Sequence, residues 1–315
     1  MHARAALLLA DAGGPDEVVS AHLLEAPAAG DDRVVAQLRA AAKRAMRQGA
    51  PTSSATYLRR AVREPPAVEV RPVVLAELGH AEVTAGLPDA VAHLQAAVAL
   101  TGDAHERARL LLKLGRALHH NGQLDDACAA FSRGLRELSP VEPGDELAIE
   151  MQGGYLNAAM FTPDRAGDAH RRAPQILDGA DALSTTPELA LLSKAVMMRT
   201  WAAGPRQEIV AAARRLLHHG LLLDDADADE QVPWQVIAAL EWCDDVASVK
   251  QAVRLALADA RRGGSVLAFV LASVLRARQA LWTGSIAEAV HDARSALEVL
   301  PAGSVYESSA AYCLV

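Results

Sequence analysis

A chain of 315 residues that is 51% apolar but only 3% aromatic builds its core from Ala, Leu and Val, a composition that suits close-packed helices better than a sheet. The net charge of −8, with both signs interspersed, argues against a surface dedicated to nucleic acid or anionic lipid. Cys128, Cys243 and Cys313 form no CxxC pair, and no stretch reaches about 18 uninterrupted apolar residues, so a soluble chain in a reducing, cytoplasmic setting is expected. The opening MHARAALLLADAGG carries an apolar run broken by Asp11, too short for a membrane span or a secretory signal.

Residues 1–32 read as a helical lead-in of two short helices. Gly13-Gly14-Pro15-Asp16 breaks the first and starts the second, because Pro suits the first turn and Asp complements the helix dipole. Residues 33–140 then hold three hairpins in series. Arg33 to Gln48 is amphipathic, Gly49-Ala50-Pro51 turns the chain, and Thr52 to Arg63 returns before Pro65-Pro66. The second copy carries Leu75-x-x-Leu78-Gly79, a Gly86-Leu87-Pro88 turn, then Leu94 and Val98.

The clearest copy is Leu111-x-x-Leu114-Gly115-x-x-Leu118, Gly122-x-Leu124-x-x-Ala127-x-x-x-Phe131, Gly134-Leu135 and a Pro140 stop. Apolar residues recur every three or four positions, which gives each helix one buried stripe. Gly79 and Gly115 lie close to one repeat length apart, about 34 residues for this pattern. Aligning Gly49 with Gly122 sets Leu58 on Phe131, Ala61 on Gly134 and Ser54 on Ala127. Gly122 marks the place where the chain needs a positive φ. This two-helix pattern resembles the tetratricopeptide repeat, with Leu in place of its usual Trp and Tyr.

Residues 141–186, punctuated by Pro143-Gly144, Pro163 and Pro174, read as an irregular helical region. Residues 187–315 return to hairpins: Leu189–Ala203 with Gln207–His219, Gln231–Trp242 with Val246–Arg262, and Val266–Trp282 with a second helix from Ile286. An acidic loop, Asp224 to Glu230, separates the first two. The chain reaches Val315 inside a new helical pattern, so the array reads as unfinished, a fragment or an incomplete last turn. The fold expected is all-α, a right-handed α-solenoid of antiparallel helix hairpins, tetratricopeptide-like.

Segments such as VVAQLRAAAKRAMRQGAP, LLKLGRALHHNGQLDDA and LASVLRARQALWTGSIAEAVHDARSALEVLP resemble the helical region of the large ATP-binding transcriptional regulators of the LuxR family. In those proteins a nucleotide-binding module precedes such a region and a DNA-binding helix-turn-helix follows it. This chain carries no GxxxxGK(S/T) loop to cradle phosphate and no basic helix-turn-helix. The resemblance therefore implies the regulatory middle, with the flanking domains as partners if a parent regulator has them. No cofactor and no direct nucleic-acid binding are expected of this segment.

Catalytic and metal constellations are weak. No G-x-S-x-G elbow is present. Asp225-x-Asp227-x-Asp229 begins like a calcium loop, but Glu230 stands where Gly is required and Val236 where Glu is. His119-His120 and His218-His219 are adjacent pairs whose side chains diverge on a helix, unlike the i, i+4 spacing a metal uses. The chain is expected not to be an enzyme.

In tetratricopeptide arrays the first helix of each pair lines the concave face. That frame, set on Gly115, gives Arg109, Leu112, Arg116, His119 and His120, with Arg39, Lys43, Arg47 and His80 on the other copies. Such a basic stripe suits carboxylates or phosphates, but ordinary solvated helix residues paired with nearby Glu are the favoured reading. In the second half the frame gives Met198, Trp201, Trp234, Trp242, Arg278 and Trp282. Indoles on a groove bind sugars, aromatic ligands or apolar side chains, and at helical spacing they also serve as ordinary core. The function expected is a non-catalytic sensor or interaction scaffold that holds a protein partner or a small effector. The alternative is a free-standing scaffold for protein assembly.

Overall fold

The computed structural model describes residues 1–14, 16–142, 144–222, 232–263 and 266–299. Sixteen α-helices, and no strand, are found among the described residues. The acidic loop 224–230 and the pattern at 300–315 lie outside them. The chain divides into two compact units, Met1–Ala158 and Ala159–Val315. Each is a stack of helix hairpins.

The first unit contains α1 (His2–Asp11), α2 (Asp16–Glu25), α3 (Asp32–Arg47), α4 (Pro51–Arg63), α5 (Arg71–Thr84), α6 (Ala90–Leu100), α7 (Ala104–His120) and α8 (Leu124–Glu137), followed by most of α9 (Glu146–Ala159). Helices pair as α1 with α2, α3 with α4, α5 with α6 and α7 with α8, and each hairpin packs on the next. Asp31 and Asp103 begin α3 and α7 by accepting the Arg33 and Glu106 N–H groups at 2.8 Å, which satisfies donors that a helix start leaves free. One apolar cluster, including Leu23, Val35, Leu38, Leu58, Val74 and Leu78, runs through the first three hairpins. The small residues set the helix separation. A Cβ on Gly115 would lie 2.5 Å from the Phe131 ring, and one on Gly79 would lie 2.6 Å from Leu94. Leu94 therefore does in the second copy what Phe131 does in the third. Gly154 of α9 covers the same Phe131 ring from the next hairpin.

The second unit contains α10 (Pro163–Asp178), α11 (Thr186–Trp201), α12 (Arg206–His218), α13 (Val232–Trp242), α14 (Val246–Gly263), α15 (Val266–Trp282) and α16 (Ile286–Val299). The segment 141–186, expected as an irregular helical region, holds the helices α9 and α10. Pro163 occupies the first turn of α10, where its missing N–H costs nothing, and Pro174 is accommodated inside that helix. A capping box of Thr185 and Glu188 starts α11; the Glu188 carboxylate accepts the Thr185 N–H at 2.9 Å. First helices of successive hairpins touch, α11 with α13 and α13 with α15.

Seven hairpins share one turn. In the α7–α8 turn Gly122 has φ +73°, its N–H donates to the His119 carbonyl at 3.0 Å, and the Gln123 N–H donates to Leu118 at 2.9 Å. This is the Schellman arrangement. Gly13, Gly49, Gly86 and Gly284 repeat it, and so do two non-glycine residues: Ala203 at φ +52° and Asp244 at φ +55°. Counting from these residues fixes the repeat register through the second unit.

Candidate functional site

Most of the basic stripe of the first unit is paired within the fold. Arg39 donates to both oxygens of Glu77 at 2.8 Å, and Lys43 lies 3.4 Å from the same carboxylate. Burial works to raise the Glu77 carboxyl, but the hydrogen bonds and charge of Arg39, with Lys43, outweigh it and hold it below the usual range. Arg116 meets Glu150 at 2.6 Å, Arg109 lies 3.6 Å from Glu106, and the His119 ring lies 3.1 Å from the Asn157 amide. Arg47 and His80 are exposed. Arg39, Lys43, Arg116 and His119 stitch neighbouring first helices together, with Glu77 on α5 and Glu150 and Asn157 on α9 as the crossing partners, whereas Arg109 pairs within α7.

The second unit brings predicted residues into one cluster. Trp234 of α13 and Trp282 of α15 flank the Arg278 guanidinium, whose carbon lies 5.5 Å and 5.8 Å from the two ring centroids. Both distances suit cation–π attraction. Behind it stands Glu241, 4% exposed, with Oε2 2.8 Å from Arg278 Nη2. Neither Glu241 oxygen has a hydrogen-bond partner, so this is an ion pair without hydrogen-bond geometry. Burial pushes the Glu241 carboxyl up to about 7, with the charge of Arg278 pulling the other way. Frame position identified the indoles and the arginine, but Glu241, beside Trp242 and in the same frame, was missed.

Trp201, Trp242 and Trp282 are equivalent residues: each is the last of a first helix, two places before Ala203, Asp244 and Gly284. Trp242 is 56% exposed and Trp282 52%. Trp201 is half-buried, with its ring edge-to-face with Phe161 at 5.3 Å. Trp242 lines a half-open groove of about 340 Å³ with Thr200, Ala203, Gly204, Arg206 and Ile209. Arg206 Nε donates to the Cys243 carbonyl at 2.7 Å and holds one wall. Phe161 and Arg206 were not predicted. Phe161 sits in the segment whose register the sequence lost.

Met198 is a correction. It is fully buried and belongs to the core. Counting back from Ala203, it takes the place of Ala81, Ala117 and Ala239, all of which are buried. Chemistry elsewhere is sparse. The rings of His119 and His120 lie 6.4 Å apart and nearly perpendicular, and no group of three or more potential metal ligands occurs among the described residues. The triple-Asp segment lies outside them. No helix among them is long and apolar enough to cross a membrane.

The fold and this surface define a tetratricopeptide-like array of helical hairpins. A tetratricopeptide repeat protein from Parabacteroides merdae is similar in structure, with a TM-score of 0.59 at 14% identity over 89% of this chain and 99% of that one. The TPR2AB domain of yeast Sti1, in its pHSP90 complex, aligns over 90% of this chain and 96% of that one with a TM-score of 0.33 at 15% identity. No protein-family model and no curated protein matches the sequence.

Proposed function

We propose that the chain is a non-catalytic interaction scaffold that holds a segment of a partner protein against the hairpin-turn edge of its second unit. The observation that carries this is the repeated exposed indole: Trp242 and Trp282, equivalent residues on neighbouring hairpins, each leave more than half their surface in solvent. Single exposed apolar residues are ordinary on protein surfaces. Two at the same repeat position, in a chain with four tryptophans, are a pattern. Aromatic and arginine side chains are the usual energetic centres of protein interfaces, and Arg278 lies against Trp282. The basic stripe of the first unit is a weaker candidate, because Arg39, Lys43 and Arg116 already face carboxylates.

A peptide-display selection on the purified chain, counter-selected on the Trp242→Ala, Trp282→Ala variant, tests the proposal. Enrichment of peptides that bind the chain and not the folded variant is the expected result. Absence of any such peptide would count against it. Membership of a LuxR-type regulator is a narrower form of the proposal and rests on the sequence resemblance alone. A nucleotide-binding module encoded upstream and a helix-turn-helix downstream would support it.

A further inference from the structure

We infer that Trp234, Trp282 and Glu241 form a cage for an arginine side chain of the partner, which the chain's own Arg278 occupies until the partner arrives. This rests on the scaffold reading above and names the chemistry of its partner. Trp234 and Glu241 lie on α13, and Arg278 and Trp282 on α15, so the cage bridges two first helices of neighbouring hairpins.

Five carboxylates are buried among the described residues: Glu64, Glu82, Glu241, Asp245 and Asp292. Four of them are supplied with donors. Glu64 accepts the Ala29 and Asp31 N–H groups at 2.9 and 3.1 Å. Glu82 accepts from Arg59 Nη2 at 2.8 Å and faces His93 Nδ1 at 2.7 Å. Asp245 accepts from Arg214 Nε at 3.0 Å, and both oxygens of Asp292 accept from Arg276. Glu241 accepts nothing: both its oxygens are closed to solvent and neither has a hydrogen-bond partner. Arg276 and Arg278 stand two residues apart on α15, yet only the first makes a forked pair. A buried carboxylate without donors is uncommon in native proteins and costly. What Glu241 lacks is a donor.

The surroundings select which donor. The guanidinium of Arg278 is held by two ring faces and by charge, while its Nη2, 2.8 Å from Glu241 Oε2, misses hydrogen-bond geometry. A guanidinium brought by another backbone keeps both attractions and is free to turn its fork onto the carboxylate. A cation without N–H groups gains the ring faces alone, and a neutral side chain loses the charge. Trp282 is more than half exposed, so this wall of the cage meets solvent at the edge proposed to hold the partner. Arg278 is the competitor. Its tether gives it a local concentration in the millimolar range, which lowers the apparent affinity for the partner. Removing it should therefore strengthen binding, the opposite of what loss of an ordinary interface arginine does.

The test is the tryptophan fluorescence of the full chain, titrated with N-acetyl-arginine methylamide at about pH 8, where Glu241 is ionised. Capped citrulline, which keeps N–H groups without the charge, and tetramethylammonium, which keeps the charge without N–H groups, are the comparators. Saturable binding of the arginine probe by the wild type is expected, with each comparator at least about tenfold weaker. Arg278→Ala, checked by circular dichroism for an intact fold, should tighten it about tenfold. Glu241→Gln should weaken it about tenfold. That variant opens no cavity, so its comparison with the wild type decides the matter even where Arg278→Ala fails to fold. No saturation of the wild type up to about 10 mM, equal binding of citrulline, unaltered binding by Glu241→Gln, or weaker binding by folded Arg278→Ala overturns the inference. Display-selected peptides that need Trp282 but carry no arginine would overturn it and leave the scaffold reading standing. Failure of the arginine probe and of the display selection would remove both.

Discussion

Glu241 is drawn out of water by folding and receives in return one guanidinium, Arg278, at an angle that makes no hydrogen bond. Burial outweighs that single charge, and the carboxyl titrates near 7 in place of its ordinary 4.5. The folded state thus holds the Glu241 proton more tightly than the unfolded chain does. Its contribution to stability is complete below the unfolded value and is lost as pH rises through about 7. The shift corresponds to about 3 kcal/mol. Carboxyls held low, such as Glu77 and Asp245, act in the opposite sense and fail at acid pH. The comparison that isolates Glu241 is therefore urea unfolding of the wild type against Glu241→Gln. The two should be similar near pH 5, and the variant more stable by up to about 3 kcal/mol near pH 8. A difference that stays flat between those values would refute the assignment. Neutralising Glu241 also frees the adjacent Arg278 charge, so the tryptophan face becomes more cationic on the acid side of neutrality.

At the scale of the helix hairpin, the shared turn is the organising constraint. Five turns place Gly in the left-handed region, while Ala203 and Asp244 occupy it with a Cβ. For an ordinary L residue that conformation costs roughly 1–2 kcal/mol, and less for Asp, whose short polar side chain tolerates it. Part of any gain from glycine is returned through the greater entropy of the unfolded chain. Ala203→Gly should raise stability by about 0.5–1 kcal/mol, read as a higher urea midpoint at unchanged slope, with a smaller gain for Asp244→Gly. A lower midpoint for Ala203→Gly would show that this turn is not strained. The same two residues explain what the sequence did and did not reveal. Where the turn is glycine, as at Gly49, Gly86, Gly122 and Gly284, the repeat can be read by eye and its helix bounds fall within a residue or two. Where it is Ala203 or Asp244 the marker vanishes, and Met198 was set on the wrong face. Trp242 and Trp282 were placed by frame alone. Pairing across helices was not legible: nothing local in the sequence says that Glu77 or Glu150 will reach Arg39 or Arg116.

For the molecule as a whole, the main packing pairs join helices one or two places apart along the chain. Stability in such an array is close to a sum of hairpin terms and nearest-neighbour interfaces, so a defect should spread only as far as its neighbours. Leu58 of α4 tests this, being 2% exposed in the cluster that joins the first three hairpins. Leu58→Ala leaves a cavity and should cost about 2–5 kcal/mol locally. Native-state hydrogen exchange should then show loss of protection in α3, α4 and α5, a smaller loss in α6, and none in α13 to α16. Equal loss across every helix would mean that the chain unfolds as one cooperative body and that neighbour-only reasoning fails. The distinction bears on binding, because a ligand that spans α11, α13 and α15 orders the hairpins it bridges. In a neighbour-coupled array that protection should decay hairpin by hairpin, so the same exchange experiment repeated with a saturating peptide from the display selection maps the contact edge directly. Slowed exchange on adding the peptide that is confined to α11–α16, with no further change in α3–α6 even in the Leu58→Ala variant, is the pattern that binding at the turn edge of the second unit requires.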